Sequence, residues 1–256
     1  MTKFEEYRDR FETIAFRRVD GILEMRVHSN GGPLSWSLTA HNELEEAFLA
    51  LSRDLDNKVV ILTGTGDIFS GPDVEPGASA ERDISAEEFA EIVRVGTGLQ
   101  INCINIPVPV VAAVNGPARR HPELALLADV VLMSDTALFQ DPAHFRGGMV
   151  PGDGVHVIFP HLMGKIRASY FLLTAQELTA QDALSLGLAN EVLAASELSD
   201  RAWQIARDIS AQPDAVRRAT RRVLNAELKD KMQAYLEFGL TAEAQAHFEQ
   251  QELRKR

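Results

Sequence analysis

Two runs of alternating apolar and polar residues stand near the start of the chain, FETIAFRRVD and GILEMRVH. They meet at Asp20-Gly21, a dipeptide that favours the tight turn of a β-hairpin, so they predict two antiparallel strands. From Thr39 onward, the segment AHNELEEAFLALSRD carries apolar residues three and four positions apart. That spacing predicts an amphipathic helix, which Thr39 is placed to cap.

The next segments predict strands that alternate with helices. KVVILTG and IPVPVVAAVNG are short, β-branched apolar runs, typical of parallel strands buried on both faces. The segment SAEEFAEIVRVGTGLQINCI between them has helical spacing, with Ser85 as the cap and Glu88 at the capping-box position. The pattern continues through HPELALLAD, VVLMS and ALFQD, which predicts an α/β core with right-handed crossovers.

After Pro151 the pattern is mostly helical. GVHVIFPHLMG, IRASYFLLT and TAQDALSLGL predict helices, NEVL predicts one short strand, and three further helical stretches follow from Glu197. A length of 256 residues fits one large domain or one domain with a helical appendage.

Composition and charge exclude several classes of protein. The chain lacks the roughly 18 consecutive apolar residues of a membrane span, and its first 16 residues lack the apolar core of a secretory signal. A net charge of −11 argues against nucleic-acid binding, and the one basic run, residues 214–231, predicts a solvated helix face or a subunit contact. The single cysteine, Cys103, cannot form an intrachain disulfide, which favours a reducing cytoplasm and a core position. The histidines show no metal-ligand spacing, so we expect no metal.

Four blocks in order carry a family resemblance: KVVILTGTGDIFSGPD, PVVAAVNGPA…PELALLADVVL, ALFQDPAHFRGGMVPGDG and YFLLTAQELTAQDALSLGLANEVL. Together they resemble the crotonase (enoyl-CoA hydratase/isomerase) superfamily. The resemblance implies an α/β fold with a crotonase-like spiral of ββα units over residues 1–195. It also implies a C-terminal helical trimerisation region over residues 196–256, and a homotrimer or a dimer of trimers.

The departures from the crotonase pattern are as informative as the match. Ordinary members carry a glycine run whose backbone N–H group helps to hold a CoA thioester, and here Arg119, Arg120 and His121 stand there. The second donor loop reads FSGPD, in which Pro72 has no N–H to offer. With SWSLTAH, RHPEL, DPAHF and VPGDG, the chain resembles the β-diketone hydrolase branch, typified by 6-oxocamphor hydrolase. That branch cleaves a C–C bond between two carbonyls without CoA or metal, so the resemblance implies a small-molecule β-diketone and no cofactor.

A water-activating pair is the first requirement of such chemistry. Imidazole has an ordinary pKa of about 6.5, and a carboxylate on one ring nitrogen fixes the tautomer. We expect His144 and Asp153 to form this catalytic pair, since the glycine-rich loop between them can fold back. The competing interpretation makes His144 a surface-loop residue and Asp153 a helix cap.

The second requirement is a set of donors for the two carbonyl oxygens. His121, at a strand's carboxyl end, is predicted to be the catalytic donor to the carbonyl that becomes an enolate; otherwise it is a solvated turn residue. Trp36 and His41 match the SWSLTAH pattern and are predicted to bind substrate, as is Glu243 from the last helix; each also fits an ordinary structural role.

Three residues and two other functions stay open at this point. Glu123 fits a helix N-terminal charge or a residue behind the substrate contacts, and Arg119 and Arg120 fit either attraction of an acidic substrate or ion pairing. A CoA-thioester hydratase, isomerase or hydrolase with a remodelled site is the alternative function. A catalytically silent scaffold is the third.

Overall fold

The computed structural model describes residues 2–71 and 83–256, and its main sheet has the strand order β1-β2-β3-β4-β5-β8. The strands are β1 (Ile14–Val19), β2 (Ile22–Val27), β3 (Val59–Thr63), β4 (Val110–Val114), β5 (Val130–Ser134), β6 (Leu138–Phe139), β7 (Leu178–Thr179) and β8 (Glu191–Leu193). The pair β1–β2 is antiparallel and the other pairs of the main sheet are parallel, whereas β6 and β7 form a small antiparallel pair.

The helices surround this sheet. They are α1 (Phe4–Tyr7), α2 (Leu38–Arg53), α3 (Ala86–Ile104), α4 (Glu123–Leu126), α5 (Val155–Met163), α6 (Lys165–Thr174), α7 (Ala180–Ser185), α8 (Ala195–Ser210), α9 (Asp214–Leu224) and α10 (Ala226–Arg254). Among the described residues, no helix is both long enough and apolar enough to cross a membrane.

The predicted hairpin and buried strands are confirmed. Asp20 and Gly21 both have positive φ, as a two-residue hairpin turn requires. Every residue of β3 and β4 is buried. Alternate side chains of the sheet, such as Ile61 and Val111, pack against Ala202 and Trp203 of α8, while those on the opposite face join the larger core. Side chains on both faces of β3 and β4 are buried because helices cover both faces of the sheet.

Local details correct one predicted helix cap and confirm another. Ser37, and not Thr39, caps α2: its backbone is extended and its side chain accepts the Ala40 N–H, so the helix has already begun at Thr39. Ser85 does cap α3 as predicted, by accepting the Glu88 N–H.

The basic run was predicted to be solvated or at a subunit contact, and this is wrong for Arg217 and Arg221, which are both buried. Arg221 donates to the Ile106 carbonyl at 2.7 Å and pairs with Asp129, so it ties α9 to the loops beside β4. Cys103 is buried in α3 as predicted, and burial raises the pKa of its thiol to about 12.

The helices after residue 195 lie on both sides of the sheet. Helix α8 covers one face, and α10 packs against α3 and α5 on the other. This second placement matters most for the site, because it brings the middle of α10 to the carboxyl edge of the parallel strands. The division at residue 195 into a core and a trimerisation region stays a prediction.

Candidate active site

The six side chains predicted to act in the site line one cavity of about 360 Å³. They are Trp36, His41, His121, His144, Asp153 and Glu243. Trp36 comes from the loop after β2, His121 from the loop after β4, and His144 from the loop after β6, so the cavity lies where strands end. The rest of the wall is mainly apolar, and includes Ile84, Ile92, Val95, Ala143, Met149 and Leu240.

His144 is buried between two aspartates. Its Nδ1 lies 2.7 Å from Asp141 Oδ1, and its Nε2 lies 3.4 Å from Asp153 Oδ2. The predicted neighbour Asp153 is therefore present, but Asp141 makes the shorter contact and was missed. Its signal was in the sequence: within DPAH, Asp141 stands three residues before His144, which lets one tight turn join the two side chains.

The competing interpretations, in which His144 is a surface-loop residue and Asp153 is a helix cap, are wrong. Both residues are buried. Gly154, with a φ of 108°, occupies the cap position of α5, and that helix has no side-chain cap. Asp153 does not cap the helix, and its Oδ2 instead lies near both His121 and His144.

The charges around His144 favour its protonated form. Burial alone would lower the pKa of His144, but Asp153, Asp141 and Glu243 outweigh it and hold that pKa well above the ordinary range. Burial likewise acts to raise the pKa of Asp153, and His144 and His121 outweigh it, so that pKa is lowered. An imidazolium between carboxylates is the consequence near neutral pH.

His121 has the opposite electrostatic character. Its side chain is 9% exposed, and burial lowers its pKa to about 4 despite the nearby Asp153. Its φ of 48° lies in the left-handed region, a strained conformation for a residue with a Cβ. The predicted alternative of a solvated turn histidine is wrong, and His121 is neutral at physiological pH.

A chain of short contacts runs through the neutral histidines. His121 Nε2 lies 3.0 Å from His41 Nε2, and His41 Nδ1 lies 2.7 Å from the Ser37 carbonyl oxygen. Burial, followed by the effect of His121, lowers the pKa of His41 to about 3. On the other side, His121 Nδ1 lies 2.8 Å from Glu123 Oε1 and 3.2 Å from Asp153 Oδ2.

Trp36 packs its indole ring against both of these histidines. Its ring centroid lies 4.1 Å from that of His121 and 4.6 Å from that of His41. The indole N–H donates to Ser70 Oγ at 3.0 Å. A carbonyl oxygen could receive this N–H only by replacing Ser70 as the acceptor.

Glu243 reaches the cavity because two glycines let α10 approach closely. A Cβ on Gly152 would lie 2.3 Å from the Gly239 carbonyl oxygen and 2.9 Å from Glu243 Oε2. Burial raises the pKa of Glu243 to about 7, although His144 opposes the shift. Glu243 can therefore exchange a proton near neutral pH.

The arginines beside His121 differ from each other. Arg119 bonds Gln140 and Glu177 on the protein surface, whereas Arg120 lines the cavity. The backbone N–H groups of both residues donate to the Ser70 carbonyl oxygen, at 3.2 and 3.3 Å. These two amides are thus engaged within the protein. The predicted loss of a donor at Pro72 lies outside the described residues.

Three atoms of the cluster also raise the question of a metal. A ligand atom from each of His121, Glu123 and Asp153 lies within 4.8 Å of the others. The separation of His121 Nδ1 and Glu123 Oε1 is 2.8 Å, whereas two ligands on a tetrahedral zinc ion stand about 3.3 Å apart. The spacing fits a hydrogen bond better than a shared ion.

Comparison with known proteins gives the family. The model of the enoyl-CoA hydratase/isomerase family matches residues 18–255. The chain belongs to this family. Human enoyl-CoA delta isomerase 2 is 28% identical over 88% of the chain, and carnitinyl-CoA dehydratase from Escherichia coli (strain K12) is 31% identical over 77% of it. The matched part spans 57% and 74% of those relatives.

Solved structures of the family share the fold. A β-diketone hydrolase from the cyanobacterium Anabaena sp. PCC 7120, bound to (S)-3-oxocyclohexyl acetic acid, superposes with a TM-score of 0.91 and is 40% identical. The match covers 96% of this chain and 98% of that one. An enoyl-CoA hydratase/isomerase from Mycobacterium paratuberculosis gives a TM-score of 0.85 at 29% identity, over 93% and 95% of the two chains. The predicted crotonase fold is confirmed.

Proposed function

We propose that this family member hydrolyses a C–C bond of a cyclic β-diketone, without a cofactor, to give a keto acid. The observation that carries the proposal is that one cavity holds two histidines of different charge state. His144 contacts Asp141 and Asp153, which favour its protonated form, and His121 is neutral. A base and a neutral hydrogen-bond donor are what a dione and water require. Bicyclic diones are the first substrates to test, because the wall of the cavity is mainly apolar.

The similarity to the cyanobacterial β-diketone hydrolase supports the same reaction. That protein holds (S)-3-oxocyclohexyl acetic acid, which carries both a ketone and an acid, the two groups that dione hydrolysis produces. The two chains are 40% identical, and the match covers 96% of this chain and 98% of that one.

In the first step, His144 takes a proton from water as the water oxygen adds to one carbonyl carbon. His144 can do so only after losing the proton that Asp141 and Asp153 favour, so turnover is expected to rise with pH. Asp141, bonded to Nδ1, keeps Nε2 directed at the water and stabilises the imidazolium that re-forms.

In the second step, the tetrahedral adduct collapses, and the bond breaks between its carbon and the carbon that separates the two carbonyls. The electron pair of that bond passes to the second carbonyl, whose oxygen becomes an enolate held by a donor such as His121 Nε2–H. The enolate carbon then takes a proton from the imidazolium of His144 or through Glu243, which gives the ketone. The first carbonyl carbon, which keeps the added oxygen, becomes the carboxylic acid of the same ring-opened molecule, with Arg120 in the same cavity to attract its anion.

The family's CoA chemistry is the alternative. The names of the human and E. coli relatives place them among CoA-dependent isomerases and dehydratases. The amides of Arg119 and Arg120 count against a thioester here, because both already donate to the Ser70 carbonyl and would have to release it to hold a thioester oxygen.

The direct test measures loss of 6-oxocamphor and appearance of acid, with EDTA present and no CoA added. We expect turnover by the wild type and a loss of at least about 10²-fold for His144→Ala, the usual contribution of a general base. His161→Ala is the control, because His161 lies outside the cavity and contacts Lys231. Full activity of His144→Ala would refute the mechanism, and binding of a CoA ester without dione turnover would refute the function.

We also propose that the chain works in the cytoplasm as a homotrimer or a dimer of trimers. Helix α6 exposes Ile166, Tyr170 and Leu173 on one face, and α10 exposes Tyr235 and Phe238. Exposed apolar stripes of this kind are typical of subunit interfaces.

A further inference from the structure

The Ser37 carbonyl oxygen determines which atom donates in each hydrogen bond from Ser37 through His41 to His121. The Ser37 carbonyl oxygen only accepts, so the 2.7 Å contact requires a proton on His41 Nδ1. A neutral His41 then has a lone pair on Nε2. The partner atom, His121 Nε2 at 3.0 Å, must therefore carry the proton of that contact.

This assignment leaves a lone pair on His121 Nδ1, where two acidic side chains meet it. Glu123 Oε1 lies 2.8 Å away and Asp153 Oδ2 lies 3.2 Å away. Two carboxylate oxygens cannot both face a lone pair at these distances without strong repulsion, so one of the acids must hold a proton.

The surroundings decide which acid holds it. Asp153 faces His144, whose imidazolium compensates a negative charge. Glu123 is fully buried, and its side chain contacts the uncharged Gln100 amide at 2.6 Å and His121 at 2.8 Å. Glu123 Oε2 is buried with no hydrogen-bond partner, which costs much less for a carbonyl oxygen than for a charged one.

We propose that Glu123 is a positioning residue: it holds a proton, donates it to His121 Nδ1, and so presents His121 Nε2–H to the cavity. Electrostatics agree, because burial and the adjacent Asp153 raise the pKa of Glu123 well above its ordinary range. The consequence for catalysis rests on the proposed function: the substrate carbonyl would replace His41 as the acceptor of the Nε2–H.

The proposal is tested with ¹⁵N-labelled histidine by NMR, on the wild type, Glu123→Gln and Glu123→Met. Both contacts of Glu123 fall on Oε1. A glutamine with its amide nitrogen at that position can donate one N–H to His121 Nδ1 and the other to Gln100, whose amide then turns to present its oxygen. Methionine fills the space without a donor. We expect an unprotonated Nδ1 and a protonated Nε2 on His121 in the wild type and in Glu123→Gln.

Activity supplies the second measurement. We expect Glu123→Gln to keep dione turnover within about threefold of the wild type, and Glu123→Met to lose the fixed tautomer and about tenfold or more in kcat. Activity that is kept in Glu123→Gln and lost in Glu123→Met would show that the hydrogen-bond donor at this position matters, and not only the volume of the side chain.

Three results would overturn the proposal: a protonated Nδ1 on His121 in the wild type, a tautomer change in Glu123→Gln, or one bound metal ion per chain in the purified protein. The wild-type spectrum needs no variant to fold and no substrate. A chain that turns over no dione can therefore still confirm or refute the role of Glu123.

Discussion

Asp141 sets both the direction and the acidity of the His144 imidazole, through its contact with Nδ1. Replacing it with asparagine removes one negative charge and lowers the pKa of His144, because Asp141 is among the groups that raise it. The neutral base then exists at lower pH.

For Asp141→Asn, the ascending limb of kcat/KM against pH should therefore move to lower pH. The maximum should fall by roughly 10- to 10⁴-fold, as the orientation of the ring is weakened. The profile is measured from pH 5 to 10, with Asp135→Asn, at an exposed position, as the matched control. An unchanged limb would show that His144 is not the titrating base.

Trp36 has one N–H and two possible acceptors, Ser70 and a substrate carbonyl. Trp36→Phe keeps much of the ring packing but loses the donor, so we expect a fall of about tenfold in kcat/KM, typical of one lost hydrogen bond. Ser70→Ala frees the donor and should reduce kcat/KM by less than about threefold. Equal losses in the two variants would mean that the indole serves only to hold Ser70.

Helix α10 introduces a titratable carboxyl into the cavity wall, with consequences for stability. The pKa of Glu243 is raised to about 7 from an ordinary value near 4.5, so the folded state holds the proton more tightly than the unfolded state. Its contribution to stability is complete below about pH 4.5 and is lost as the pH rises to about 7.

Glutamine does not titrate, so Glu243→Gln should gain in stability relative to the wild type across this pH window. The difference should reach up to about 3 kcal/mol above pH 7, given 1.36 kcal/mol for each pKa unit. Urea unfolding at pH 4.5 and pH 8 measures it. A difference that does not change with pH would show that folding does not raise the pKa of Glu243.

At the scale of the whole molecule, we expect the exposed apolar faces of α6 and α10 to bind other copies of this chain. Ile166 is 81% exposed, so an aspartate there should not disturb the folded chain, but it should disrupt an interface. Light scattering should give three or six chain masses for the wild type and one for Ile166→Asp. Leu55→Asp, on an exposed apolar residue elsewhere, is the control. A monomeric wild type would contradict the proposed assembly.

The sequence by itself determined the elements of the fold and the types of residue in the site. Periodicities of 2 and 3.6 depend only on neighbouring residues, and so the hairpin at Asp20-Gly21 and the buried strands β3 and β4 could be predicted. The family resemblance added the candidates His121, His144 and Asp153. Residues at matching positions of the family's sequence pattern occupy the same places on the fold, even where the residue type differs.

Only the tertiary structure decided the contacts and charges of those residues. His41 and His121 are 80 positions apart and meet only in the folded chain, where His121 adopts a left-handed backbone conformation that no local pattern predicts. The opposite pKa shifts of His144 and His121 arise from burial and from Asp141 and Asp153, which depend on the packing of distant loops. The direction of each proton in the site is thus a property of the folded chain.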